Sequence, residues 1–259
     1  MGLVYEGEDI RLGRKVAVKV MREDGQDGTM GERLFREAKA AARAEHPAVV
    51  TTYGYGTDPE LGISYVVMER LRGETLAQRI ARSGPLPISF VRRVALETAD
   101  ALAAVHEAGV VHRDLKPSNI FLASRGLRVD DVKLLDFGVA KQLDLQTLTA
   151  TGEVYGTPVY MAPEQLSDSK HVKPRCDLYS FGVVLFECLA GVPPFSAQSV
   201  PALISEILFG PEPILRKLRA DVSEDLAAVV ARCMRRRADE RFFDARAICK
   251  VLEASADSG

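Results

Sequence analysis

The chain has 259 residues, 47% hydrophobic and 27% charged, which is enough apolar side chain for one large domain or two lobes and excludes a disordered segment. A formal net charge of −2 with a pI near 6.1 excludes a strongly basic surface, and with it nucleic acid or an anionic membrane as the main partner. Cys176, Cys188, Cys233 and Cys249 are widely spaced with no Cys-x-x-Cys pair, so neither a disulfide framework nor a zinc site is indicated and reduced thiols in the cytoplasm are expected.

Residues 3 to 20 alternate around a polar turn at 9 to 14 and predict a β-hairpin, with Val16, Val18 and Val20 on one face and Ala17 and Lys19 on the other. Glu32 to Glu45 predicts a helix ended by His46-Pro47, its inward stripe carrying Leu34, Ala38, Ala41 and Ala42. Glu37 falls on that stripe, where a carboxylate needs a partner. Val49 to Gly56 and Ile63 to Glu69 predict two more strands, and Met68-Glu69-Arg70-Leu71 leads through Gly73 into a helix at Thr75 to Ser83. Ile88 to Glu107 carries Phe90, Val91, Val94, Thr98, Ala101, Leu102 and Val105 at helical spacing, with Gly109 as its stop.

The segment His112 to Asn119, HRDLKPSN, follows. Two short apolar runs, Ile120 to Leu122 and Val132 to Leu135, then predict a hairpin that ends at Asp136-Phe137-Gly138, Asp136 lying seventeen residues beyond Asn119. Gln142 to Gly156 is polar, with hydroxyls at Thr147, Thr149, Thr151 and Tyr155. Asp177 to Ala190 is apolar on nearly every side, so it predicts a helix buried at the centre of the larger lobe and ended by Gly191. Helices are also expected at Pro201 to Phe209, Ser223 to Arg236 and Asp244 to Ala254, with Arg235-Arg236-Arg237 as a solvated helix end. Strands with one helix, then helices with one hairpin, imply a bilobal α+β protein with a ligand-holding cleft between its lobes.

The central hairpin brackets Asp114, Asn119 and Asp136 and would bring them together. Two carboxylates and an amide oxygen suit a hard divalent cation such as Mg²⁺, which shares its shell with substrate phosphates, and Lys116 adds a positive charge beside them.

HRDLKPSN, Asp136-Phe137-Gly138, Ala162-Pro163-Glu164 and the upstream Val16-Ala17-Val18-Lys19 together resemble the motifs of eukaryotic-type protein kinases over essentially residues 2 to 254. The loops GTPVYMAPEQL (156 to 166) and GVPPF (191 to 195) resemble the bacterial Hanks-type serine/threonine branch, and Lys116 and Thr157 match that specificity. The resemblance implies one kinase domain over 1–259, with a small antiparallel sheet lobe at 1–69, a hinge at 70–74 and a mainly helical lobe at 75–259. It implies ATP with Mg²⁺, Mn²⁺ being a substitute, and transfer of the γ-phosphate to protein Ser or Thr hydroxyls.

Asp114 would then orient the acceptor hydroxyl and take its proton, Lys116 would steady the moving phosphate, and Asn119 and Asp136 would hold the metal. Lys19, fixed by Glu37, would grip the α and β phosphates; Phe137 would pack under the helix carrying Glu37. Met68 would wall the rear of the adenine pocket, the backbone at Glu69 and Leu71 would bond the adenine edge, and Gly2, Val4 and Ala17 would cover the nucleotide. Glu164 with Arg241, and Asp177 with the catalytic-loop backbone, would be structural contacts. Arg113 could pair with a phosphate on the 139 to 161 segment, so autophosphorylation in trans is expected at Thr149 or Thr151, and less at Thr147. Partners would be protein substrates and a second copy of the chain, with no nucleic acid and no membrane contact within this chain. The location would be cytoplasmic, either free or as part of a longer membrane-attached kinase.

The pattern departs from the family at its start. The phosphate-covering loop GxGxxGxV is matched only from Gly2 and Val4, so the first strand and two glycines are missing, and Met1 reads as an internal methionine of a longer chain. That departure keeps a pseudokinase-like scaffold open as an alternative, and a small-molecule phosphotransferase stands as a third.

Overall fold

The computed structural model describes residues 3–22, 35, 38–39, 42–125, 128–137, 158–167 and 172–254. Alternating β-branched residues build the expected small sheet from β1 (Leu3–Asp9), β2 (Arg14–Arg22), β3 (Thr52–Asp58) and β4 (Ile63–Glu69), all antiparallel in the order β1-β2-β4-β3. The Asp9 carboxylate accepts from the amides of Arg11 and Leu12 and so closes the β1–β2 turn. Register places Lys19 opposite Val4 and Val66, and Ala17 opposite Glu6 and Met68, so these residues share one face of the sheet. Buried Ala38 packs with Val66, Met21 and Met68 on that face. The sheet therefore places Lys19 on the face opposite Val16, Val18 and Val20, as the alternation predicted, and that face is the one covered by Ala38.

Phe35, Ala38, Lys39, Ala42 and Arg43 are helical, but Ala44 to His46 are not, so the helix stops short of the expected Glu45. The amide of Ala48 donates to Nδ1 of His46, a local turn that competes with the last helical turn just ahead of Pro47. Ala42, expected inward, is exposed and Ala44 is buried instead. Leu34, Glu37 and Ala41 lie outside the described residues.

Val49 and Val50 do not open β3. Both are buried against the large lobe, where Leu134 donates to the Ala48 carbonyl (2.7 Å) and accepts from the Val50 amide (3.0 Å). The strand begins at Thr52, beside an irregularity at Gly54.

The large lobe carries a second sheet, β5 (Gly73–Thr75), β6 (Ile120–Arg125) and β7 (Arg128–Leu134), in that order. Gly73 and Glu74, expected as hinge, instead pair with Ala123 and Leu122. Gly73 sits at φ 140° against the Leu122 carbonyl, where any Cβ would collide, so only glycine serves. Thr75 and Gln78 then form a capping box that starts α1 (Leu76–Ser83). Helix α2 (Ile88–Glu107) buries the predicted stripe from Val91 to Val105, and Gly109 turns the chain at φ 74°.

Helices α3 (Pro163–Ser167), α4 (Arg175–Ala190), α5 (Val200–Phe209), α6 (Leu215–Leu218), α7 (Glu224–Cys233) and α8 (Ala245–Ala254) complete the lobe. Helix α4 is buried from Cys176 through Phe186, as its uniform apolarity predicted; each such Leu, Val or Phe contributes about 1.5–3 kcal/mol. A Cβ on Gly182 would lie 2.7 Å from the Cβ of Cys233 and 2.8 Å from Cγ of Met234, so glycine lets α7 approach α4 closely. Helix α7 ends at Cys233, short of the expected Arg236; of the arginines after it Arg235 and Arg237 are exposed as expected, whereas Arg236 is not. Arg236 Nε donates to the Ile207 carbonyl at 3.0 Å, and its guanidinium also reaches the Gly210 carbonyl, closing the end of α5.

Candidate active site between the lobes

The loop from Val110 to Asn119 hangs on one side chain of α4. Asp177, fully buried, accepts at Oδ2 from the His112 amide and His106 Nε2 and at Oδ1 from the Arg113 amide, each at 2.8 Å. Burial pushes its pKa up, but the bond and charge of His106, with His112 and the Arg113 amide, outweigh that and hold the carboxyl below its ordinary value. Arg113 adopts φ 65°, which costs a non-glycine residue about 1–2 kcal/mol. Asp177 on its amide and Gln165 Nε2 on its carbonyl (3.1 Å) offset that strain.

His112 is buried, with Nε2 on the Leu135 carbonyl (3.0 Å) and Nδ1 accepting from the Asp114 amide (3.4 Å). Those partners assign the neutral Nε2–H tautomer. Its ring lies 4.9 Å from that of buried Phe137.

Asp114 itself is half-buried. Lys116 Nζ lies 3.0 Å from its Oδ2, and Asn119 Nδ2 donates both to its carbonyl (2.7 Å) and to Oδ2 (3.1 Å). The Asn119 carbonyl accepts from the Leu135 amide (2.9 Å), which sets Asn119 beside Asp136. Asp136, at φ 47°, receives Lys19 Nζ on Oδ1 at 2.9 Å. Among the described residues Asn119 Oδ1 and Asp136 Oδ2 keep no protein partner. One amide and one carboxylate oxygen at adjoining positions fit a hard divalent cation.

This constellation has counterparts in known proteins. The family described as "Protein kinase domain" matches residues 1–251. The chain belongs to the protein kinase family. The chain is 37% identical over 256 residues to the serine/threonine-protein kinase PknL of Mycobacterium tuberculosis (strain ATCC 25618 / H37Rv), covering 98% of this chain and 62% of that protein. It is 38% identical over 246 residues to PknH of Mycobacterium bovis (strain ATCC BAA-935 / AF2122/97), covering 95% of this chain and 40% of that one. It thus spans less than two thirds of these relatives' length. The crystal structure of the Mycobacterium tuberculosis PknI kinase domain superposes with a TM-score of 0.75 at 26% identity, covering 98% of this chain and 91% of that one.

Within the kinase domain, the structure brings together Asp114, Lys116 and Asn119, and joins Asp136 to Lys19 across the lobes. Ala17, Met68 and Leu71 are half-buried around the sheet face and hinge, whereas Val4 is exposed on β1. Gly2, Glu37, Thr147, Thr149 and Thr151 lie outside the described residues. Glu164 and Arg241 form the expected fork, at 2.6 and 2.7 Å.

Two features escaped the sequence reading. His106 shares Asp177, and Lys133 on β7 is buried on the side chain of Glu69. Lys133 stands between Val132 and Leu134, an interruption in an otherwise apolar run that signals a buried cation needing a carboxylate.

The kinase domain is expected to lose stability in acid in two steps. Burial first, only partly opposed by Asp177, Asp114, the Leu135 carbonyl and Asp136, lowers the His112 pKa from 6.5. The fold therefore favours neutral His112, so this contribution is complete above pH about 6.5 and declines below it as the unfolded chain takes up the proton. Asp177, also lowered, adds a second decline below about pH 4. Thermal midpoints at constant ionic strength check this; a midpoint unchanged from pH 7 to about 5 contradicts the His112 step.

Proposed function

We propose that this kinase domain transfers the γ-phosphate of ATP to Ser or Thr hydroxyls of proteins, a second copy of itself included, with Mg²⁺ as the metal. The observation that carries the reading is the held Asp114, whose carboxylate oxygen Oδ2 takes Lys116 Nζ at 3.0 Å and Asn119 Nδ2 at 3.1 Å, the fixed orientation that a proton acceptor for a hydroxyl needs. Asn119 and Asp136 would hold Mg²⁺, which when bound neutralises phosphate charge. Lys19, presented by β2 on the covered face, is placed for the α and β phosphates, and the backbone of Glu69 and Leu71 for the adenine edge. Lys116 lies where it can meet both acceptor and phosphate.

A scaffold without turnover is disfavoured by the retention of Lys19, Asp114, Asn119 and Asp136, held as two contacting pairs, Lys19 with Asp136 and Asn119 with Asp114. Protein rather than small-molecule substrates are favoured by the Ala162-Pro163-Glu164 segment, whose Gln165 braces the Arg113 carbonyl. The Arg113 guanidinium makes no hydrogen bond or ion pair with the described residues, which suits it to a phosphothreonine on the 139 to 161 segment. Among the described residues no helix is long and apolar enough to cross a membrane, and we place the activity in the cytoplasm.

Incubation with labelled ATP and Mg²⁺ is expected to label Thr149 or Thr151, and Thr147 less, while an Asp114→Ala chain stays unlabelled. An active preparation with all three threonines unmodified would refute the autophosphorylation, and failure to label any protein hydroxyl would refute the kinase reading.

A further inference from the structure

Lys133 and Glu69 form a buried ion pair at the junction of the lobes. Their side chains are 6% and 7% exposed and 2.5 Å apart. Glu69 Oε1 also accepts from the Thr51 amide (2.9 Å), Lys133 Nζ also reaches the Val49 carbonyl (3.2 Å), and the Glu69 amide donates to the Thr51 carbonyl (2.9 Å). The pair therefore locks three segments into one body: the end of β4, the turn at Ala48 to Thr51, and β7. That turn is also zipped to β7 by both backbone bonds of Leu134.

The position of the pair in the chain gives it a further consequence. Glu69 supplies backbone to the hinge, and Lys133 lies three residues before Asp136, on the strand that delivers this carboxylate to the cleft. We propose that the Lys133–Glu69 pair is a positioning pair for phosphoryl transfer: it fixes the offset between the backbone that reads the adenine and the carboxylate that holds the metal, and so sets where the γ-phosphate sits relative to Asp114. This rests on the nucleotide reading of the cleft given above.

Stability alone does not require charges here. Buried ion pairs commonly stabilise a fold no better than apolar side chains of the same size, whereas removing one partner leaves an uncompensated charge. What an apolar pair loses is direction. Three hydrogen bonds converge on one oxygen and one ammonium group, and apolar contacts tolerate sliding where these bonds do not. A shift of about 1 Å at the reacting centre costs as much as 10²-fold in rate.

The test separates the two roles. Lys133→Met and Glu69→Leu are made singly and together, and denaturation midpoints, the affinities of adenosine and of ADP with Mg²⁺, and the kcat of peptide phosphorylation are measured. Each single variant is expected to lower the midpoint, and the double variant to recover it. The double variant should bind adenosine within about twofold of wild type, yet bind ADP with Mg²⁺ more weakly and turn over about tenfold or more slowly. A double variant with recovered midpoint and wild-type kcat overturns the proposal and leaves the pair purely structural. If the double variant does not fold, Lys133→Arg keeps the charge and shifts its geometry: a lower kcat at an unchanged midpoint supports the proposal and an unchanged kcat overturns it. Wild-type protein that binds neither nucleoside nor nucleotide would instead overturn the nucleotide reading itself.

Discussion

Asp114→Asn is expected to slow phosphoryl transfer by about 10²- to 10⁴-fold, the range that a positioned proton acceptor contributes. The substitution keeps the size of the side chain and the backbone bond from Asn119 Nδ2, so the loop should hold its shape. It removes the charge that Lys116 faces at 3.0 Å and the oxygen able to take a proton. Single-turnover phosphorylation of a peptide measures the loss directly. ATP affinity should change little, because the role proposed for Asp114 is toward the acceptor hydroxyl and not toward the nucleotide. A fall of less than about tenfold would transfer the proton-accepting role to another group, since that is smaller than such catalysis ordinarily supplies.

The largest expected effect on stability is at Arg241. Its side chain is fully buried and forks onto Glu164, while Nε and the two terminal nitrogens also donate to the carbonyls of Arg235, Arg175 and Arg236. Arg241→Met removes every one of these bonds and strands three carbonyls and a carboxylate. Breaking a buried pair from one side costs about 3–5 kcal/mol, and because Glu164 keeps a third of its surface in water the lower end applies. For a domain of this size that is a fall of about 6–12 °C in thermal midpoint. Arg241→Lys should recover little, because an ammonium group cannot make the fork or reach all four acceptors. A midpoint lowered by less than about 2 °C would mean that water replaces the fork at negligible cost.

Much of the fold was legible because its patterns are local. Period-two alternation in Lys15 to Val20, the apolar stripe of Ile88 to Glu107 and the uniform apolarity of Asp177 to Ala190 each follow from which faces must be dry, and the structure places all three as expected. The gathering of Asp114, Lys116, Asn119 and Asp136 was legible because these residues are packed into one short segment and one hairpin. What failed depended on distant neighbours. Val49 and Val50 have the composition of a strand, but the edge that satisfies them belongs to β7, more than eighty residues away. Arg236 looked solvated because the carbonyls it closes, those of Ile207 and Gly210, are supplied by the end of another helix. Lys133 resembled a stray charge until Glu69 was brought beside it.

Asp177 has a consequence for how the molecule comes apart. A loop ordinarily opens on its own, at little cost, and exchanges its amide hydrogens quickly. Here the amides of His112 and Arg113 are bonded to a side chain rooted in α4, the most enclosed helix of the larger lobe. The loop has thereby surrendered its independence and joined that helix in one cooperative unit, so loosening of the smaller lobe leaves the geometry around Asp114 intact until the helix itself gives way.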